Sequence, residues 1–484
     1  MPSPIQTGPE ASSLKKDDPW TDREVWEMIA SGGARAVHHI ESPAMISLCR
    51  MCNVRDIDGL VAIVSVIRPG AANEQKKVRF TRRYQGLEPV TYPHPSLEDC
   101  LRDTFGQVVY EEHILQICEQ FANLGIGRSD VLRRALAKGK PEVVEQIKGE
   151  FFTAARAIGR EEKVIAEVWE MISGFAGYAF CKAHSAAYGV EAYQSAWLKK
   201  YFPAEFMAAV LTNGKGFYDP LVYVLECHRL GLRLQPPSVN QPGPGFIAGP
   251  DGIRTPISYI KGISTRLVEN ALAESAKGPF ASLRDFYLRV QPSDEQMELL
   301  IRAGALDHFG KSRTEQFWEA QFLRRDSECG QVPGQATLFP PASNPLPKAP
   351  LTEPTRAERL KCEAELFGFP VSGHPLELFE DIAWDTYCPV SRLDSFRGQE
   401  VVTCGLVIEQ RTHHQVTGEP MKFLTLADWT GIVETELFAD TYRNYGTATV
   451  RYPVLEVTAT VEPFENGRGY SLRVHRAGKP RSKS

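Results

Sequence analysis

From residue 22 to 232, apolar side chains recur at three- and four-residue intervals, the spacing of helices with one buried face. "DREVWEMIASGG" (22–33) is amphipathic and stops at a glycine pair, and "HILQICEQFANLG" (113–125) repeats the spacing. In "GRSDVLRRALAKGKPEVV" (127–144), Ser129 is placed to cap a helix, and Gly139 with Pro141 marks its stop. "EEKVIAEVWEMISGFAG" (161–177) predicts a further helix closing on glycines. "SAAYGVEAYQSAWLKKYF" (185–202) puts Tyr188, Ala192 and Trp197 near one face before Pro203 opens the next helix. A linker rich in Pro and Gly, "LQPPSVNQPGPG" (234–245), leads to short helices joined by a tight Lys-Gly turn over 260–310. Residues 340–356 form a semi-rigid Pro-rich spacer. Past residue 385 the period drops to two, and "EVVTCGLVIEQRT", "MKFLTLADWTG", "IVETELFA" and the run 451–476 predict five or so short strands. Such spacing fits a small closed or partly closed β-barrel. The expected class is multidomain α+β: a mainly α-helical N-terminal two-thirds followed by a C-terminal β-barrel.

Composition narrows this little. The chain has 484 residues, 43% hydrophobic and 24% charged, as ordinary soluble globular domains are. No apolar run approaches a membrane span, so no membrane contact is expected, and residues 1–20 lack the apolar core of a secretory signal. The ten cysteines are scattered; Cys49 and Cys52 make the single CxxC, with no second pair to complete a zinc site. A reducing, cytoplasmic setting is expected. The net charge of −5 confines any polyanion binding to local patches. One is "RRALAKGK" (133–140), with Arg133, Arg134, Lys138 and Lys140; the other is the tail 466–484, with six Lys and Arg and no acid. Taken alone, the two read first as a solvated face and a solubilising tail.

The stretch "GYAFCKAHSAAYG" (177–189) concentrates Cys181, Lys182, His184 and Ser185. Cys181 and His184 would meet on a helix as a nucleophile and its base, but no strand-turn-helix elbow surrounds them. Gly174, Gly177 and the alanines at 183, 186 and 187 suggest close backbone approach, and the donors Lys182, His184 and Ser185 suit a phosphate-bearing ligand. A tightly packed helix start would use the same residues.

This stretch, extended to 175–213, resembles the fingers segment of the C-family bacterial DNA polymerases, the replicative polymerase III alpha subunit and its error-prone relatives. "LVAIVSVIRPGA" (60–71), "YEEHILQI" (110–117) and "SDVLRRALAKGKPE" (129–142) resemble other parts of that family, and 216–240 is most similar to its error-prone branch. The resemblance runs from about 22 to 478. It implies a disordered leader (1–21), a fingers-like helical domain (22–232), a helix-hairpin-helix domain (233–310), a helical segment and Pro-rich linker (311–385), an OB-fold (386–478) and a basic tail (479–484).

The resemblance also implies roles. Arg133 and Arg134, near a helix start, would hold the incoming nucleoside triphosphate, with Lys182, His184 and Ser185 lining the same pocket and Arg68 packing near the palm junction. Gln335, Leu338 and Phe339 of "QATLF" resemble a peptide that binds the sliding clamp; alternatively, Leu338 and Phe339 tack the spacer onto a domain. Lys261 and Gly262 of "IKGI" would contact duplex phosphates through backbone amides. In the OB-fold, the single strand would meet Arg411, His413, His414 or Lys422, and Phe423, Trp429, Phe438 or Tyr442. Arg411 and Lys422 lead these candidates, because alternation must send half of the aromatics to the core beside Leu424, Leu426 and Leu437.

The family's catalytic acids sit in its palm, and the chain enters the resemblance just after it. Asp56 and Asp58 in "RDIDGL" mimic a palm motif but fall at a helix start. No catalytic or metal-ligating residue is therefore assigned, and Mg²⁺ is expected only in complex with a separate palm-bearing polymerase subunit. The expected function is the DNA-binding, nucleotide-positioning half of a split, error-prone polymerase in replication and translesion repair synthesis. The rivals are a non-catalytic accessory module docking on clamp and DNA, and a remnant with no role.

Overall fold

The computed structural model describes residues 20–66, 74–174, 181–328, 352–415 and 417–483. Arg68, Gln335, Leu338 and Phe339 lie outside the described residues. The chain divides into two compact units, residues 1–201 with 462–471 and residues 202–461 with 472–484.

The first unit is helical and holds two cores. Its first half contains α1 (Arg23–Ala30), α2 (Pro43–Cys52), α3 (Ile57–Val66) and α4 (Glu74–Tyr84). Asp22 starts α1 by accepting the Glu24 N–H at 2.9 Å, and Asp56 starts α3 by accepting the Gly59 N–H at 2.7 Å. The apolar run of α3 is buried on every side, including Leu60, Val61 and Ile63. The second half contains α5 (Glu98–Leu101), α6 (Glu111–Ala122), α7 (Ile126–Ala137), α8 (Pro141–Ala157) and α9 (Glu162–Ser173), packed around Phe121, Phe151 and Trp169. The long α10 (Lys182–Tyr201) packs along α3, with Ala192 buried and Tyr188 and Trp197 half-buried. Closeness is enforced at Gly189, where a Cβ would come within 2.6 Å of Val61 Cγ2.

One helix boundary departs from expectation. Gly125, at φ +81°, precedes α7, so the helix begins earlier than a Ser129 cap would place it. Ser129 is instead inside the helix, buried, its hydroxyl donating to the Gly125 carbonyl at 2.8 Å. Arg133 and Arg134 consequently lie in the second half of α7 and not near its start. The stop is as expected: α7 ends before Gly139 at φ +61°, and Pro141 opens α8.

The second unit begins with α11 (Pro203–Asn213) and α12 (Pro220–Arg229). Thr212 on α11 accepts the Phe246 N–H at 2.9 Å, fastening the helix to a small sheet. In that sheet β3 (Gly252–Arg254) runs parallel to β1 (Leu234–Gln235) and antiparallel to β2 (Ile247–Gly249). Next come α13 (Thr265–Ala276), α14 (Leu283–Val290), α15 (Asp294–Arg302), α16 (Arg313–Glu328) and α17 (Arg356–Phe367). Ser264, Ser282 and Ser293 cap the first three of these, whose apolar faces bury Leu267, Phe286 and Leu300.

The unit ends in a closed barrel of β4 (Glu400–His414), β5 (Pro420–Ala427), β6 (Ile432–Leu437), β7 (Val454–Pro463) and β8 (Tyr470–Gly478), ordered β4-β5-β6-β8-β7. Two short helices, α18 (Ala439–Tyr445) and α19 (Ala448–Arg451), connect β6 to β7. The long β4 pairs with β7 through its first half and with β5 through its second, with a register shift between Val407 and Glu409. Leu424, Leu426 and Leu437 line the core as expected. The architecture is the α+β order read from the sequence, a barrel consistent with an OB-fold following the helices. Among the described residues no helix is long and apolar enough to cross a membrane.

Candidate functional site

The first turn of α6 organises the polar cluster of the first unit. His113 sits inside this turn, its Nδ1 accepting the N–H groups of Val109 and Tyr110 at 3.1 and 3.3 Å. The ring proton is thereby placed on Nε2. Burial pulls the pKa of His113 down to about 4, with Lys182 adding to the effect, so the cap is neutral. With the turn fixed, Glu111 and Glu112 point to different partners.

Glu111 pairs with Arg133 Nη1. The same guanidinium gives its Nε and Nη2 to Asp130 Oδ1 at 2.9 and 2.7 Å, a forked grip that arginine geometry favours. Arg134 reaches the other oxygen of Asp130 at 2.7 Å and is otherwise exposed. These hydrogen bonds, Arg133 first, hold the Asp130 carboxyl below its ordinary range. Glu112 takes the backbone N–H of Lys182 with both oxygens at 2.9 Å, capping α10. The Lys182 ammonium lies 3.4 Å from Asp103 Oδ2 and 5.6 Å from the centre of the Tyr110 ring. The Arg133 guanidinium and the Lys182 backbone amide, distant in sequence, thus meet two adjacent glutamates, while the Lys182 ammonium turns to Asp103.

The remaining candidates of this cluster separate. His184 packs against Tyr188 at 4.1 Å, and Tyr188 stacks on His39 at 3.7 Å and 8°. His38 and His39 both reach Glu191, at 3.2 and 3.0 Å, and hold its carboxyl below the usual range, His39 contributing most. This aromatic and carboxylate group was not anticipated; two adjacent histidines facing a Glu on a neighbouring helix carry no spacing signal. Ser185 corrects an expectation. It is fully buried on the inner side of α10, and its hydroxyl, without a partner among the described residues, faces no ligand-accessible surface.

In the second unit, the Lys-Gly turn precedes α13. Gly262 is required there: its φ is +90°, and a Cβ would come within 2.9 Å of Leu299 Cδ1. The expectation that the Lys261 amide faces outward is overturned, because its N–H donates to the Leu366 carbonyl at 3.0 Å. The Lys261 side chain and Arg266 remain exposed beside the Ser264 cap, whose hydroxyl also binds Gln296 at 2.7 Å.

The barrel changes the order of its candidates. Lys422 is only 5% exposed; its ammonium donates to Thr449 at 2.7 Å and lies 5.7 Å from the Tyr442 ring centre. Burial lowers its pKa, and the covering helices α18 and α19 keep it from a strand outside. Its neighbour Phe423 is 38% exposed and sits directly opposite Arg411 across β4 and β5. Arg411 is half exposed, held by Glu409 at 2.9 Å and stacked over Phe217 at 3.9 Å. Phe217 had not been singled out; an aromatic following Gly-Lys-Gly (214–216) was the available signal. His413 and His414 are exposed at the end of β4. Trp429 is exposed at its edge but stacks on His374 at 4.6 Å, while Phe438 and Tyr442 are half-buried. Among the described residues no group of three His, Cys, Asp or Glu is arranged to hold a metal ion.

Residues 10–159 match the bacterial DNA polymerase III alpha subunit finger domain, and residues 231–316 match a helix-hairpin-helix motif. Three curated proteins named DNA polymerase III subunit alpha are similar to the chain. The one from Aquifex aeolicus is 31% identical over 431 residues, covering 88% of this chain and 36% of the relative. Those from Pseudomonas aeruginosa and Thermus aquaticus are 30% and 31% identical, covering 95% and 94% of this chain and 42% and 38% of the relatives. The chain therefore spans about two fifths of the length of these relatives.

Proposed function

The chain belongs to the DNA polymerase III alpha family, whose finger and helix-hairpin-helix regions it carries, and from that premise we propose that it positions nucleotide and DNA for a polymerase. The observation that carries this reading is the convergence of Arg133 and Lys182 on the first turn of α6. A triphosphate needs cations that stay charged and keep their orientation; Arg133 is gripped by Asp130 on one edge, and Lys182 opens a 20-residue helix. The match to the finger family includes Arg133, Glu111 and Asp130. Duplex DNA would follow the turn at Gly262 and the exposed Lys261 and Arg266 through phosphate contacts that read no sequence. Single-stranded template would stack on Phe423, with Arg411 and Phe217 beside it.

The two Mg²⁺ ions of nucleotidyl transfer are held by clustered carboxylates, and in this reading the palm supplies them from outside residues 22–478. The error-prone character rests on the 216–240 stretch, clamp binding on Gln335, Leu338 and Phe339, and a cytoplasmic place at replication and repair synthesis on the polymerase role itself. Primer extension by the chain combined with a palm-bearing polymerase segment tests the reading. Arg133→Ala is expected to raise the KM for deoxynucleotide about tenfold, some 1.4 kcal/mol, with the chain alone inactive. An accessory-module reading draws on Arg133 being already paired to Glu111 and Asp130. It gains if Arg133→Ala leaves extension untouched while Gln335→Ala removes stimulation by the clamp.

A further inference from the structure

The cations assigned to the triphosphate are already matched by acid. Arg133 is 23% exposed and so is Glu111, and their pairing uses Nη1 alone, since Nε and Nη2 belong to Asp130. The acid beside the Lys182 ammonium is Asp103, at 3.4 Å, and Glu112 caps the Lys182 backbone N–H with both oxygens. The two glutamates are adjacent on a helical turn whose backbone His113 fixes from inside. Their carboxylates can therefore leave by side-chain rotation while the turn stays in place.

We propose that Glu111, as the counter-ion of Arg133, and Glu112, as the cap on the first amide of α10, are displaceable carboxylates that occupy the phosphate positions of this site until a nucleoside triphosphate replaces them. The inference rests on the nucleotide reading given above. Displacement of Glu111 frees Nη1 of Arg133, while Asp130 continues to hold the guanidinium plane. A triphosphate carries several charges and strong acceptors, and so outcompetes a single partly exposed carboxylate; a singly charged anion has no such advantage. The first turn of α6 then acts as a specificity device, setting how highly charged a ligand must be to enter. The two glutamates are positioning residues, acting through Arg133 and Lys182.

Calorimetric titration of the full chain with tripolyphosphate and with dATP, at fixed low salt, tests this. Glu111→Gln is expected to tighten both by about tenfold, because a neutral amide competes less well for the Arg133 guanidinium, and Glu112→Gln by a smaller factor, because it gives up only the first amide of α10. Thermal melting accompanies each variant, and if one fails to fold, the other decides. Unchanged or weaker binding in the glutamine variants, with Arg133→Ala still weakening the wild-type affinity, overturns the counter-ion inference and leaves the nucleotide reading standing. If Arg133→Ala leaves the wild-type affinity unchanged, the nucleotide reading fails and the counter-ion inference falls with it.

Discussion

The helical cluster around α6 and the C-terminal barrel keep their cations in opposite ways. Arg133 is held by the carboxylates of Glu111 and Asp130 at a partly open surface, where all three side chains keep some exposure. Lys422 is enclosed by the barrel and its two covering helices, with Thr449 as its hydrogen-bond acceptor. An exchangeable acid partner leaves a cation available to a polyanion; an enclosing wall commits it to the fold. Charge along a sequence is therefore a poor guide to function until the covering elements are known.

The largest expected effect lies at the acid end. His113 titrates near 6.5 when unfolded and at about 4 when folded, so the neutral, capping form is the one the fold favours. Its stabilising contribution is complete above about pH 6.5 and is lost as pH falls through the window down to about 4. The difference corresponds to about 3 kcal/mol. Chemical denaturation of the helical unit as a function of pH should show this loss, and His113→Asn should flatten it; an unchanged profile would separate His113 from the stability of the turn. The barrel, which holds its cation away from acids, should not share that dependence on His113.

Next in size, Gly189→Ala forces a methyl group against Val61, which α3 packing cannot easily yield. A loss of about 2 kcal/mol in the first unit is expected by denaturant unfolding, with barrel stability unaffected. Smallest and most discriminating is a pair of barrel changes. Phe423→Ala should weaken single-stranded DNA binding by about 1–2 kcal/mol in fluorescence anisotropy. Lys422→Met should leave that affinity unchanged and alter stability by less than about 1 kcal/mol, since a buried cation is exchanged for an apolar side chain of similar length. A large effect of Lys422→Met on DNA affinity would erase the contrast drawn between the two regions.

Much of this was legible in the residues themselves. Helix stops at Gly139 and Pro141, the α3 start at Asp56 and the barrel core leucines follow from local chemistry. Ser129 misled because a glycine at φ +81° starts α7 earlier, and a cap and an internal serine look alike in sequence. Lys422 misled although alternation along β5 puts it on the same face as the core residues Leu424 and Leu426; what the strand pattern does not announce is Thr449, 27 residues on, which accepts the ammonium and lets it be buried. Ser185 turns inward because α10 presses on α3, a contact far away in sequence. The Lys261 amide was lost to Leu366, a partner that no local pattern announces.

The most direct measurement is hydrogen exchange on the chain bound to primer-template, with and without dATP. The account predicts slowed exchange confined to the first turns of α6 and α10 and to the Asp130–Arg134 segment of α7. Unaltered exchange at all three, under conditions where dATP is bound, would contradict it.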